Sequence, residues 1–141
     1  MGGTNYIIGA SDNGKLQSTE LIDSNGFVDA GPNLPTKIWG HSITSINKTV
    51  SFISGGETSA SKYSPKTWYY NHESQLFRNG PSLQLGRGGH ASATVIDSVT
   101  KSLIIVVAGG WNGNQLDSKE LLIDDQWKPG EIMGWLLIIN P

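Results

Sequence analysis

Two histidines raise the question of chemistry first. His41 and His90 each follow a glycine, in "WGHS" and "GGHA", and stand 49 residues apart. A pair of imidazoles can hold a metal or move protons near neutral pH. Equivalent placement in two similar segments argues instead for a structural role, a histidine that hydrogen-bonds between strands or layers. His72, in "NHESQ", falls in a turn and is expected to be solvated. The stretch "GRGGH" (86–90) has the glycine density of a phosphate-cradling loop. Such a loop needs a strand before it and a helix after it, and here a strand pattern follows, so that reading fails. "NGKLQST" (13–19) contains Gly-Lys without the spacing of a phosphate-binding loop. No Ser/His/Asp set stands out, and Asp97, Asp124 and Asp125 occupy turn-like positions. Asn47-Lys48-Thr49 is a glycosylation sequon, read as incidental because no signal peptide accompanies it.

Composition narrows the classes further. The chain has 141 residues, 37% of them apolar and 16% charged, which fits one globular unit rather than a disordered chain. Its 18 glycines exceed the usual ~7% and point to many tight turns and little long helix. The net charge of −2, with both signs mixed along the chain, gives no electrostatic case for nucleic acid or an anionic membrane. Without cysteine, disulfides, thiol catalysis and Cys-based zinc sites are excluded. A cytosolic home fits that lack. The N-terminal "MGGTNYIIGAS" has neither a basic region nor a long apolar run and does not read as a signal peptide. The longest apolar runs, "LIIVVA" (103–108) and "WLLII" (135–139), fall far short of the ~20 residues that a membrane helix needs.

The elements that would position these residues recur. "GPNLPTKIWGHS" (31–42) returns as "GPSLQLGRGGHA" (80–91), with Gly-Pro and Gly-His both displaced by 49. Phe27, Phe77 and Trp127 are spaced 50 and 50 apart, each followed by glycine within four residues. "STELID" (18–23) returns as "SKELLID" (118–124), displaced by 100, or two periods. Self-similarity at such a period marks a repeat architecture. Each period reads as four short strands. The first starts at the histidine, and the second is an apolar run ending in small residues, Gly55-Gly56 and Gly109-Gly110 where the glycine is paired. The third is "STELID", "TWYYN" or "SKELLI", and the fourth carries Phe27, Phe77 or Trp127. No stretch keeps apolar spacing at i, i+3, i+4, i+7, so no helix is predicted. Four strands per ~45–50 residues, repeated, predict an all-β fold, a partial β-propeller of four-stranded antiparallel blades. Paired glycines would serve where backbones crowd or φ turns positive, and the fourth-strand aromatic would pack between blades.

At these residues the chain resembles the kelch-repeat family, whose motif joins a paired glycine after an apolar strand to a tyrosine and, six residues on, a tryptophan. "LIIVVAGG…ELLIDDQW" (103–127) is similar to it, with Leu121 in the tyrosine slot and Trp127 in the tryptophan slot. "YIIGAS…ELIDSNGF" (6–27) resembles it with Gly9-Ala10 for the glycines, Leu21 and Phe27. "FISGGE…YYNHESQLF" (52–77) keeps the glycines but sets Tyr70 seven residues before Phe77. The divisions along the chain are a first partial repeat at 1–49, a second at 50–102, an incomplete third at 103–130 and an apolar tail at 131–141. That tail, "EIMGWLLIINP", has no earlier counterpart. It reads either as a segment that docks on a blade edge or partner, or as a truncated or mis-spliced end.

The resemblance implies a protein-interaction scaffold rather than an enzyme, with loops offered to a protein partner and no cofactor or metal. Copper-dependent galactose oxidase is one enzymatic precedent on a similar repeat. Its tyrosine–cysteine cross-link has no counterpart in a chain without cysteine, so such chemistry would need residues outside it. If strands alternate up and down, two sets of loops share one face. They carry Glu57, Lys62, Trp111, Asn112 and Asn114 after the glycines, and Lys37, Trp39 and Arg87 before the first strands. Exposed Trp and Arg anchor protein interfaces. For Trp39 and Trp111 the alternative is packing against a neighbouring blade. Just under three blades cannot close a ring of the usual 4–8. The chain therefore reads as a fragment, with open edges prone to self-association. A head-to-tail dimer closing six blades and a product without independent function are the other readings.

Overall fold

The computed structural model describes residues 5–8, 17–59 and 62–130. Among them every regular element is a β-strand, and no helix is long and apolar enough to cross a membrane. Three sheets follow one another along the chain. The first holds β1 (Asn5–Ile8), β2 (Thr19–Ile22) and β3 (Val28–Ala30). The second holds β4 (Ser42–Ser45), β5 (Val50–Ser54), β8 (Thr67–Asn71) and β9 (Leu76–Asn79), with a small hairpin, β6 (Glu57–Ser59) and β7 (Lys62–Tyr63), between β5 and β8. The third holds β10 (Ala91–Ile96), β11 (Leu103–Ala108), β12 (Lys119–Ile123) and β13 (Gln126–Pro129). All pairs are antiparallel, and within each sheet neighbours in space are neighbours in sequence. The fold is all-β, built of four-stranded antiparallel sheets, with three strands described in the first. The small hairpin falls where the sequence pattern reads a plain loop.

Local chemistry sets the turns. In four of the strand connections an Asp or Asn side chain accepts backbone N–H groups just ahead of it, the arrangement that favours these residues in turns. Asp23 takes the amides of Asn25 and Phe27, Asn47 those of Thr49 and Val50, Asn71 those of Glu73 and Ser74, and Asp97 those of Val99 and Thr100. The β12–β13 connection is tighter. Asp124 and Asp125 both have positive φ (50° and 60°), as a two-residue turn matched to sheet twist requires. That turn sets Leu122 opposite Trp127 and Leu121 opposite Lys128. Tyr70 stands opposite Phe77. In the first sheet Val28 faces Ile22. Phe27 sits one residue earlier, outside the strand and 71% exposed, so it does not occupy the interlayer position that the 50-residue spacing suggests.

The core lies between sheets. Phe52 of β5 meets Ile105, Val107, Leu122 and Trp127 of the third sheet, with Leu83 from the linker between the sheets. The Phe52 ring centre is 6.0 Å from that of Trp127 and 5.1 Å from that of Tyr69. On the opposite face of the second sheet, Ile53, Trp68 and Tyr70 take Leu34 and Ile38 from the linker before it. The first strands of the two complete sheets run side by side. Ser42 Oγ lies 2.5 Å from Ser92 Oγ, and Thr94 Oγ1 donates to the Ser45 carbonyl at 3.1 Å. Sheets are separated by linkers at 31–41 and 80–90, so the divisions at 49/50 and 102/103 each fall between the first and second strands of one sheet. The tail at 131–141 and the Gly9-Ala10 pair lie outside the described residues.

Phe52 is fully buried between two sheets. Phe52→Ala is expected to cost about 3–5 kcal/mol, measured as a lowered urea midpoint with the slope unchanged.

Candidate functional site

The paired glycines build one rim of the molecule. Gly55 and Gly56 have φ of 64° and 104°, and Gly109 and Gly110 have φ of 69° and 92°, a region that residues with a Cβ rarely enter. Space enforces the same choice. A Cβ on Gly110 would sit 2.7 Å from the Gly88 carbonyl oxygen. Each glycine pair turns the chain out of the second strand, so that the next residue bridges to the linker. Trp39 and Glu57 exchange backbone hydrogen bonds of 3.1 and 2.7 Å, and Gly88 and Trp111 do the same at 3.0 and 2.8 Å. Trp39 and Gly88 are equivalent in the repeat, as are Glu57 and Trp111. The two bridges lie next to each other, since a Cβ on Gly88 would be 3.6 Å from the Glu57 nitrogen.

These bridges pin the backbone and leave the indoles out. Trp39 is 40% exposed and Trp111 49%, so neither is absorbed into an interlayer core. Lys37 and Asn114 are exposed, and Glu57 and Asn112 are partly buried. Asn112 is tied down through its side-chain amide, which donates to the Gly86 carbonyl, and its own N–H donates to the Asn114 carbonyl at 3.0 Å. The rim is therefore a pair of tryptophans on a rigid backbone, bordered by a cation and polar side chains.

Arg87 corrects the sequence reading. Expected on an exposed loop, it is fully buried. Its Nη2 donates to Glu120 Oε2 at 2.8 Å and to Ser118 Oγ at 3.3 Å, and its Nη1 to the carbonyls of Gly109 (3.0 Å) and Ser118 (2.9 Å). Glu120 in turn accepts the backbone amides of Gln84 at 2.6 Å and Leu85 at 3.3 Å. Two charges withdrawn from water this way need each other and those extra hydrogen bonds. The signal was in the repeat. Displacement by 49 aligns Arg87 with Ile38, an apolar residue packed under the second sheet, so the linker was bound to turn this position inward.

The histidines are built into the packing between strands. His90 is buried, and its Nε2 lies 2.9 Å from Ser54 Oγ across the boundary between the second and third sheets. Burial holds its pKa down to about 4, helped by the Arg87 guanidinium and by His41. Burial also lowers His41 below its ordinary value. Nδ1 of each ring is buried without a hydrogen-bond partner, which fits neutral rings. Repetition does not make the two rings equal, because the serine partner is supplied to His90 alone among the described residues. His72 departs from expectation. It is half-buried, its Nε2 lies 2.7 Å from Ser51 Oγ, and its ring stands edge-on to Tyr70 at 5.1 Å. The reason is that the β5–β8 ladder runs on by one residue, the His72 amide donating to the Thr49 carbonyl at 2.8 Å. Among the described residues no three of His, Cys, Asp and Glu gather as metal ligands would.

No protein-family model matches the chain, and no curated protein matches it.

Breaking the buried pair through Arg87→Leu or Glu120→Leu alone is expected to cost about 3–5 kcal/mol, while the double substitution should recover most of that loss, as read from urea unfolding of all four proteins. A second outcome concerns pH. With its folded value below the usual 6.5, His90 takes up a proton more readily in the unfolded chain. Its contribution to stability is complete above about pH 6.5 and is lost as pH falls toward about 4. His41 and His72 act in the same direction. Unfolding free energy measured across that window should therefore fall with pH, and less steeply in His90→Gln.

Proposed function

We propose that this chain is part of a kelch-type β-propeller and serves as a protein-interaction scaffold, with the rim around Trp39 and Trp111 as the docking surface for a protein partner. The observation that carries the reading is the pair of indoles left 40% and 49% exposed on backbone held by reciprocal hydrogen bonds. Large aromatic side chains on a fixed frame lose little entropy on binding and are the type that dominates interface energetics. Lys37 and Asn114 border them as polar contacts. The repeat markers support the propeller part of the reading. Sheets of four strands in meander order, glycine pairs after β5 and β11 and Trp127 between layers are the features that the kelch motif would impose.

The test is chemical cross-linking of the tagged chain in cell extract, run beside Trp39→Ala/Trp111→Ala. Both indoles are exposed, so the double variant should keep the urea midpoint of the parent. A cross-linked protein present with the parent and lost with the variant is expected, since removing an aromatic anchor costs about 2 kcal/mol or more each. A cross-linking pattern that the double substitution leaves unchanged would overturn the reading.

A further inference from the structure

The three sheets can be superposed residue by residue through their hydrogen bonds. Gly31, Gly80 and Gly130 each donate their amide to the carbonyl of the residue that opens the third strand, Thr19, Thr67 and Lys119, at 2.8, 3.0 and 2.9 Å. The next residue along is therefore equivalent in all three: Glu20, Trp68 and Glu120. In the second and third sheets this position meets the linker that arrives from the preceding sheet. Trp68 packs with Leu34 and Ile38, and Glu120 pairs with Arg87, four residues beyond Leu83. Apolar meets apolar in one case and cation meets anion in the other.

Glu20 is the third member, and it is exposed. No hydrogen bond or ion pair reaches its carboxylate among the described residues. On the same face Val28 is exposed and Ile22 only half-buried. The strand that should lie beside β1 is also absent among the described residues. β5 and β11 each carry a first strand on one side, β4 and β10, whereas β1 has a neighbour on one side only. Among the described residues an unpaired edge and an unpaired carboxylate occur together, where an incoming segment would supply both a strand and a cation.

We propose that the edge of β1 and the face bearing Glu20 bind a repeat segment of the arginine type, a linker followed by a first strand as in residues 80–96, with its guanidinium on Glu20. Charge complementarity selects this occupant over the isoleucine type represented by residues 31–47. A segment of that type would add by backbone pairing, as strand addition to an open sheet edge does. Its arginine would meet a carboxylate placed as Glu120 is. The inference rests on reading the sheets as consecutive propeller blades. It does not involve the tryptophan rim, which Glu20 substitutions leave intact, so the two can fail separately.

The experiment titrates the full chain into a labelled synthetic peptide of residues 80–96, followed by fluorescence anisotropy, with the peptide of residues 31–47 as comparator. Binding of the 80–96 peptide is expected, about tenfold or more tighter than that of 31–47, as a charge-assisted hydrogen bond implies. Glu20→Gln in the chain should erase the preference, and so should R87Q in the peptide, which leaves the folded chain untouched. The R87E peptide should regain affinity for a chain carrying E20R. Absence of binding by either peptide, equal binding by both, or a preference that survives Glu20→Gln would each overturn the proposal.

Discussion

Thr67 and the chain thirteen to fourteen residues beyond it are joined by two hydrogen bonds on which the rest of the arrangement depends. Gly80 donates its amide to the Thr67 carbonyl, and Thr67 Oγ1 donates to the Pro81 carbonyl at 2.9 Å. The same pair recurs at Thr19, with Gly31 and Pro32. Together they turn the chain back at the end of each fourth strand and send the linker across the face of the next sheet. A four-stranded sheet with two apolar faces is not stable alone and must cover both. Here the cover for one face is the linker plus the preceding sheet, so turning the linker back and building the core are one event. Leu34 and Leu83 arrive under their sheets by this route, each held by a further amide bond, to Gln17 and Pro65.

At one place in that linker the molecule uses two solutions to the same packing problem. Ile38 against Trp68 is the cheaper one, because it desolvates no charge. Arg87 against Glu120 gains strength only because each carboxylate oxygen and each terminal guanidinium nitrogen finds a partner, leaving Arg87 Nε as the one unmatched donor. Such a pair adds little net stability over an apolar filling. Exposed Glu20 shows the same choice of residue on a face that no described linker crosses.

The rim follows from the opposite requirement. The backbone there must pass close to its neighbours, and only glycine permits the approach at Gly55 and Gly110. That crowding consumes the N–H and C=O groups in bridges, beside which Trp39 and Trp111 stay 40% and 49% exposed. His90 fills the space under the same glycines, where burial keeps its ring neutral.

Much of this was legible in the residues. Turn chemistry at Asp23, Asn47, Asn71 and Asp97, the apolar run at 103–108 and the recurrence of Gly-Pro and Gly-His determine strands, their number per repeat and their antiparallel order, because those are local properties with a fixed period. Trp127 was legible for the same reason. Other positions were decided only in three dimensions. A two-residue turn at Asp124-Asp125 set Leu122 against Trp127, a register that spacing alone does not distinguish. Phe27 missed the core by one residue, since a neighbour in sequence points to the other side or lies outside the strand. Arg87 is the clearest case. Its charge predicts solvent, and only the sheet laid over it, with Glu120 and two carbonyls waiting, makes burial the lower free energy.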